Sequence, residues 1–256
     1  MAGYLVRRKQ EIATSLSGFA KPLMVLTGMT LLLLGQPDFG SAIVIITASI
    51  GVIYLAGVPY RYFVPLVAVC LSVVGLIATL QPYRLARLTA FADPWDHHLE
   101  SGYQLTQALI AFGRGEWFGM GLGNSIQKLF FLPEAHTDFL FSIIAEELGV
   151  VGAGLVIILF ACLVLRGLSL AQAARNKGLE FHAFLAYGIA LILGIQASIH
   201  LGVNLGVLPT KGLTLPLMSY GGNSLIVSCV MIAILLRIDF EARQTPGADL
   251  RGKANV

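Results

Sequence analysis

Long stretches without a charged residue are the feature that most constrains what this chain can fold into. They lack Asp, Glu, Lys and Arg, and they cover 22–37, 39–60, 62–83, 148–165, 183–210 and 212–236. A helix needs about 20 mostly apolar residues to cross the bilayer core, and only helical hydrogen bonding satisfies the backbone of such a segment in lipid. We therefore predict an all-α, polytopic membrane helical bundle, with about six transmembrane helices and a long structured outer loop.

The predicted spans follow from these stretches, extended where a flanking lysine can reach the membrane surface. They lie at about 18–36, 40–58, 62–81, 139–166, 182–206 and 222–238, with an outer loop at 82–137 and a polar tail at 239–256. Between the first two spans, Asp38 is expected to cap the second helix. The whole chain, 1–256, is predicted to form one membrane domain.

Composition excludes several other classes of protein. The chain is 56% hydrophobic and 12% charged, about half the charged fraction of a soluble domain. The net charge of +3 is small, and no basic stripe is interleaved with aromatic residues, so a nucleic-acid partner is not expected. The three cysteines lie inside apolar stretches without metal-ligand spacing.

The basic residues between the spans predict the orientation in the membrane. With six spans both termini face the same side, and that side collects nearly all basic residues of the short segments. The opposite side carries Lys211 in its last short loop. We therefore expect both termini to be cytoplasmic.

The 82–137 loop is too long to be a simple connection, and loops of this length are usually functional or disordered. Apolar anchors argue for order, and closely spaced glycines suggest tight turns or close backbone approach. We expect short helices at the membrane surface. The anchors are Trp95, Tyr103, Trp117, Phe118, Phe130 and Phe131, and the glycines are Gly113, Gly115, Gly119, Gly121 and Gly123.

An aspartate stands where this loop meets the fourth predicted span. Asp138, or its neighbour Thr137, suits an N-cap, which stabilises a helix by about 1 kcal/mol. Alternatively, Asp138 is a partly desolvated carboxylate whose raised pKa lets it take a proton from a substrate hydroxyl. The two interpretations are compatible.

Two further groups of polar residues fall within predicted spans. Glu146 and Glu147 lie about two turns beyond Asp138, where acids are functional or paired with a neighbouring helix. Both interpretations stay open. Gln196, His200 and Asn204 recur at helical spacing and favour a hydrogen-bonded packing row over a ligand set.

The last short outer loop combines a lysine with a glycine-led helix start. Lys211 is its only charge, and Gly221 and Gly222 precede the final apolar stretch. Free backbone N–H groups at a helix start, next to a cation, suit a phosphate or pyrophosphate. The alternative is a tight re-entrant turn with a lysine that reaches towards the membrane surface.

Several longer motifs occur in a recognisable order. They are QPDFGS at 36–41, ADPW at 92–95, SGYQLTQ at 101–107, GLGNSIQK at 121–128, LPEAHTDF at 132–139, AEELG at 145–149 and LPTKGLTLPLMSYGG at 208–222. Together they resemble the FtsW branch of the SEDS family of cell-wall glycosyltransferases. The Thr-Lys pair at 210–211 is typical of that branch rather than of the RodA-like one.

The resemblance implies a septal peptidoglycan glycosyltransferase that polymerises lipid II, with undecaprenyl pyrophosphate as the leaving group. It implies that Asp138 is the essential acid and that His136, Thr137, Glu146, Lys211, Gly221 and Gly222 bind substrate. A divalent cation, Mg or Mn, is a further expectation, with its ligands unknown. The implied location is the bacterial inner membrane at the division septum. The implied partners are a class B penicillin-binding protein and other division-complex proteins.

The chain also departs from the family pattern. Members of this branch have ten spans, and the chain resembles the last six, so we expect it to lack the first four. Two alternative functions therefore stay open: a lipid II flippase and a non-catalytic scaffold of the division complex. An outer-face acid such as Asp138 favours the enzyme over a transporter, which needs a polar path with alternating access.

Overall fold

The computed structural model of the chain describes residues 1–8, 11, 16–36, 38–80, 91–100 and 102–245. Within these residues every regular element is a helix, which confirms the all-α fold. Pro37, the 81–90 part of the outer loop, Ser101, the tail beyond 245 and the Phe130 side chain lie outside the described part. The helices are α1 (Ala2–Arg7), α2 (Leu16–Gly35), α3 (Phe39–Leu55), α4 (Tyr60–Leu80), α5 (Tyr103–Gly115), α6 (Leu140–Asn176), α7 (Glu180–Asn204) and α8 (Gly222–Gln244).

Helices occupy each of the six predicted segments, although their ends differ. The largest difference is in α6, which continues to Asn176 rather than ending near 166. Among the described helices, α6 and α7 are long and apolar enough to cross a membrane, and shorter apolar helices occupy Lys21–Gly35, Phe39–Leu55 and Tyr60–Cys70. The predicted cap of α3 is confirmed, because Asp38 Oδ1 accepts the N–H of Ser41 at 3.0 Å.

The chain divides into two compact units. The first is drawn from the described parts of Met1–Cys70, Cys162–Ile195 and Ser228–Val256. Its core is a cluster of buried aliphatic and aromatic side chains from α1, α3, α4, α6, α7 and α8, including Ile53, Phe184, Leu193 and Ile238. Burial of each such side chain contributes about 1.5–3 kcal/mol.

The second unit comprises Leu71–Ala161 and Gln196–Val227, and it contains all the predicted site residues. Phe141 is fully buried, and its ring lies 5.6 Å from that of Phe112 on α5. A second buried cluster includes Phe139, Ile143 and Val203. Phe139, Phe141 and Ile143, which alternate along the chain after Asp138, therefore anchor the start of α6.

A break in α6 is the most unusual feature of the second unit. Gly149 has φ 67° and ψ −169°, a conformation that side chains other than hydrogen rarely allow. The helix therefore loses its regular hydrogen bonds at Gly149. Residues 116–122 supply replacement hydrogen-bond partners, and we name them the break loop.

Backbone groups of the break loop satisfy both sides of the interruption. The N–H groups of Val150 and Val151 donate to the carbonyls of Glu116 and Trp117, at 2.9 and 3.2 Å. In the other direction, the carbonyls of Glu146 and Glu147 accept N–H groups of Met120 and Gly121, each at 3.0 Å. Four helix groups that would be costly to bury unpaired are thus paired.

Glycines make this close approach possible. A Cβ atom at Gly119 would lie 2.1 Å from the Glu147 carbonyl oxygen, and one at Gly115 would lie 1.9 Å from that of Ala145. The sequence pattern predicted close backbone approach in this glycine series, and the structure confirms it at these two positions. Gly113 is different, since nothing lies within 4 Å of its Cβ position.

Candidate functional site

A tight turn delivers Asp138 to the start of α6. The backbone turns at Glu134, which has a positive φ of 56°. The N–H groups of Thr137, Asp138 and Phe139 all donate to the Glu134 carbonyl, at 3.1, 3.1 and 3.3 Å. The position of the Asp138 backbone is therefore set by local hydrogen bonds before any long-range contact is considered.

A buried asparagine from the end of α7 then fixes the same segment. Asn204 is 0% exposed, and its Nδ2 donates to the carbonyls of Asp138 and His200, at 2.9 and 2.8 Å. Its Oδ1 accepts the N–H and the hydroxyl of Ser142, at 3.0 and 2.8 Å. The side-chain amide thus uses both donor hydrogens and both acceptor lone pairs.

The irregular segment 205–221 is bound to the Asp138 turn from the other side. Ser219 donates its hydroxyl to the Thr137 carbonyl at 2.6 Å and accepts the N–H of Leu215 at 2.8 Å. The N–H of Tyr220 donates to the His136 carbonyl at 2.9 Å. Two chain segments that are far apart in sequence are therefore held together at the Asp138 turn.

The predicted row on α7 secures this segment as well. His200 Nδ1 donates to the Leu213 carbonyl at 2.6 Å, and Gln196 Nε2 donates to the Thr214 carbonyl at 2.9 Å. Together with Asn204, these residues form a hydrogen-bonded row, as predicted, although their partners lie mainly on irregular backbone. Its hydrogen bonds hold the 205–221 segment against α7.

The carboxylate of Asp138 lies directly on the backbone of the 205–221 segment. Its Oδ2 atom is 3.0 Å from the position that a Cβ would occupy at Gly212. Gly212 follows Lys211, the only charged residue of this segment. The fold therefore brings Asp138 to the Lys211–Gly212 step, although Asp138 and Lys211 are 73 positions apart in the chain.

Four of the other predicted substrate residues lie on the Asp138 turn or at the start of α8. His136 is exposed, and the Thr137 hydroxyl donates to Glu134 Oε2 at 2.7 Å. Helix α8 begins at Gly222, as the glycine pair suggested, and the Cβ position of Gly222 is open. Substrate binding by these residues stays a prediction.

Glu146 occupies a separate, fully buried position. It is 0% exposed, and its carboxylate accepts the Ser125 hydroxyl at 2.5 Å and the N–H groups of Ile126 and Gln127 at 3.3 and 3.2 Å. Arg114 Nε lies 3.8 Å from Oε1. These contacts fit the paired interpretation of the acid, and a substrate role for Glu146 stays a prediction.

Glu147 points to a less buried environment. Lys128 Nζ lies 2.6 Å from Glu147 Oε1, and the N–H of Ser125 donates to the same oxygen at 3.4 Å. The two neighbouring acids thus bind the same short stretch of chain, the start of the π-helical Gln127–Phe131 segment. Both carboxylates fasten this stretch to α6.

Two parts of the site were not foreseen from the sequence. No role was predicted for Ser142 or Ser219, because a serine carries no signal of its partner. The break at Gly149 had a weaker signal, since a glycine follows two acids where the apolar stretch begins. The closely spaced glycines of the outer loop were a matching signal, because they allow the break loop to approach the α6 backbone at Gly149.

Comparison with known proteins identifies the family to which this chain is similar. Residues 1–244 match the FtsW, RodA and SpoVE family, described as cell cycle proteins. The chain is 60% identical over 241 residues to a probable peptidoglycan glycosyltransferase FtsW of Hahella chejuensis, covering 94% of the chain and 61% of that protein. It is 54% identical over 243 residues to the corresponding Legionella pneumophila protein, covering 95% and 62%. The chain therefore spans about three fifths of the length of these relatives.

Solved structures agree with the sequence comparison. A chain of a peptidoglycan synthase complex, whose description concerns the coordination of polymerization and crosslinking, has a TM-score of 0.72 at 31% identity, over 94% of this chain and 68% of that one. The Thermus thermophilus rod shape determining protein RodA has a TM-score of 0.61 at 28% identity, over 95% and 64%. The fold is that of an all-α polytopic membrane protein, and the chain belongs to the FtsW, RodA and SpoVE family of cell cycle proteins.

Proposed function

We propose that the chain acts as a peptidoglycan glycosyltransferase that polymerises lipid II during septal cell-wall synthesis. One observation carries the proposal: two independent hydrogen bonds hold the backbone of the turn at Thr137 and Asp138, and the Asp138 carboxylate lies against Gly212, the residue after Lys211. A fixed carboxylate beside a cation suits a reaction between a sugar hydroxyl and a sugar pyrophosphate. The relatives named as probable peptidoglycan glycosyltransferases support the same reaction class.

In the proposed reaction Asp138 is the general base. It accepts the proton of the 4-hydroxyl of one glucosaminyl residue while that oxygen attacks the anomeric carbon of the muramyl sugar of another chain. The new C–O bond forms as the bond to pyrophosphate breaks, and the electron pair leaves with undecaprenyl pyrophosphate. General-base assistance of this kind contributes about 10²–10⁴-fold in rate.

Lys211 and the start of α8 are proposed to bind the pyrophosphate. The ammonium group of a lysine neutralises phosphate charge, and the free N–H groups at a helix start attract anions. Helix α8 begins at Gly222, a few residues beyond the Ser219 contact with the Asp138 turn. His136 and Thr137, on that turn, are proposed to contact the sugars.

A divalent cation, Mg or Mn, is a further expectation of this reaction class. Among the described residues, no group of three or more His, Cys, Asp or Glu side chains is arranged to hold one. The described residues therefore fit a cation only if pyrophosphate and water supply most of its ligands, as is common for Mg²⁺. The proposed steps do not depend on the cation.

The proposed setting is the bacterial inner membrane at the septum, with both termini in the cytoplasm and a class B penicillin-binding protein as partner. The similarity to a chain of a peptidoglycan synthase complex supports such an assembly. A lipid II flippase is the second candidate. An acid proposed to lie at the outer face favours the polymerase, because a transporter places its substrate site near the middle of the bilayer and needs access from both sides.

The decisive experiment replaces Asp138→Asn in a chimera that restores the relatives' length with the unmatched part of the Hahella chejuensis protein. With lipid II and the penicillin-binding partner, we expect glycan bands on a gel to fall at least about 100-fold, while membrane insertion is retained. Asp96→Asn, at an exposed acid of the same outer loop, is the matched control. Unchanged polymer yield in Asp138→Asn would exclude the proposed base.

A parallel assay separates the two candidate functions. Fluorescent lipid II in proteoliposomes reports translocation without polymerisation. If Asp138→Asn abolishes translocation by the chimera as well as polymer formation, the acid serves transport and the polymerase proposal fails. The polymerase is supported if Asp138→Asn loses polymer formation but still translocates lipid II. It is also supported if polymer formation is lost and neither the variant nor the parent chimera translocates lipid II.

A further inference from the structure

The break loop exposes an unusual amount of apolar surface. Phe118 is 83% exposed, Leu122 76%, Trp117 69% and Met120 41%. Four large apolar side chains within six residues form a patch of a kind that marks contact with a protein or a membrane. Gly119 and Gly121 lie between these apolar residues, and the loop backbone is hydrogen-bonded to α6.

This patch is continuous with an apolar surface of α6. The backbone bonds of Val150 and Val151 to the break loop join the two directly. Beyond the break, α6 exposes Val150, Val151 and Leu155 at 54%, 55% and 57%. Exposed apolar side chains on a helix that is long and apolar enough to cross a membrane suit contact with acyl chains, and the break loop extends that surface.

The length of the apolar stretch indicates the depth of the loop. Residues 148–165 contain no charge, and at about 1.5 Å per residue they span about 27 Å. A hydrocarbon core is about 30 Å thick. Residues 148–165 can fill the hydrocarbon core only if Gly149 lies near one edge of that core. The break loop is hydrogen-bonded to α6 at the level of Gly149.

We propose that the break loop is a membrane wedge, whose exposed side chains insert into the outer leaflet next to Gly149 and contact the lipid chains near the glycerol level. Tryptophan is enriched at this level because its ring is apolar and its N–H group tolerates water. Lipid is the proposed occupant, rather than a protein, because the patch continues the lipid-facing surface of α6. The wedge is independent of the proposed catalytic chemistry.

The chain carries its own control for this proposal. It has two tryptophans, Trp95 and Trp117. Trp95 is 56% exposed, close to the 69% of Trp117, but its sequence neighbours are polar. Exposed charged or ionisable residues at Asp93, Asp96, His97, His98 and Glu100 surround it in the chain. We therefore expect Trp95 to face water and Trp117 to face lipid.

The test uses single-tryptophan forms of the chain in nanodiscs of phosphatidylcholine and phosphatidylglycerol. Trp95→Phe leaves Trp117 as the reporter, and Trp117→Phe leaves Trp95. Phosphatidylcholine brominated near the carbonyl end of one acyl chain should quench Trp117 at least twofold more than Trp95. Aqueous iodide should show the reverse order.

Two results would overturn the wedge. Equal iodide quenching of both tryptophans would place the loop in water, and a Trp117 shielded from both quenchers would mean that protein covers it. A second reporter guards against a local effect of one substitution. Phe118→Trp in a chain with Trp95→Phe and Trp117→Phe should again be quenched by the brominated lipid, and failure there would also count against the proposal.

Discussion

The side-chain amide of Asn204 donates a hydrogen bond to the backbone carbonyl of Asp138 across 2.9 Å. The two residues are 66 positions apart, and the partly buried bond joins the end of α7 to the start of α6. Because the same amide also binds Ser142 through its oxygen, it fixes the direction in which α6 begins. The proposed base thus depends on a residue that does not itself touch substrate.

Asn204→Ala should lower turnover more than substrate affinity. The substitution leaves the carbonyl of Asp138 without its Asn204 donor and removes the acceptor for the Ser142 hydroxyl, at a cost of about 1–3 kcal/mol for each buried group. A displacement of the base by about 1 Å is enough to reduce kcat by about 100-fold. Steady-state kinetics of the chimera, with kcat and KM determined separately, measures the effect.

Asn204→Asp sharpens this test, because the aspartate still accepts from Ser142 but loses the donor to Asp138. We expect its kcat to fall to a similar extent. Asn176→Ala, at an exposed asparagine bound to Gln172, should leave both constants unchanged. A rise in KM alone would show that Asn204 acts on binding and not on the base.

Glu146 and Glu147 should differ strongly in their contribution to stability. Glu146→Gln replaces one of the two acceptor oxygens by an NH2 group, which cannot accept the hydrogen bonds from Ser125, Ile126 or Gln127 that this oxygen received, and it removes the charge near Arg114. Each buried group left unpaired there costs about 1–3 kcal/mol, whereas Arg114 is 37% exposed and can be hydrated. Glu147→Gln weakens a more accessible pair with Lys128 and should cost about 1 kcal/mol or less. Thermal unfolding in detergent measures both, and equal melting temperatures would refute the assignment.

The closely packed glycines of the break loop should not tolerate a side chain. In Gly119→Ala the new Cβ would meet the Glu147 carbonyl oxygen at 2.1 Å, so the loop or α6 has to move. We expect a loss of about 1–3 kcal/mol, as for other overpacked sites. Gly113→Ala is the matched control, because its open site on α5 should make alanine stabilising by about 0.5–1 kcal/mol. Similar unfolding temperatures for the two variants would contradict the close approach.

Lys211→Met should weaken substrate binding in the chimera. A charge-assisted contact with phosphate contributes about 1.5–3 kcal/mol, which corresponds to an increase in KM of about 10–100-fold. Inhibition by undecaprenyl pyrophosphate should weaken in parallel, and Lys211→Arg should restore part of both. Lys21→Met, at an exposed lysine, is the control. An unchanged inhibition constant in Lys211→Met would remove this residue from the proposed anion site.

The sequence by itself determined the helical class, the approximate positions of six apolar helices and the importance of the Asp138 and Lys211 segments. These properties are local. Charge-free length and helix start signals depend on neighbouring residues, so Asp38 was identified as the cap of α3 from the sequence alone. The motif resemblance added the family, which comparison with known proteins established.

Tertiary structure alone decided which distant groups meet. The contact of Asp138 with Gly212, the bond from Asn204 and the break at Gly149 each join segments that are far apart in the chain. No local pattern encodes such partners, because a serine, an asparagine or a glycine suits many environments equally well. The interruption of α6 is stable only because the break loop supplies the hydrogen bonds that the helix gives up, and that exchange exists only in the folded chain.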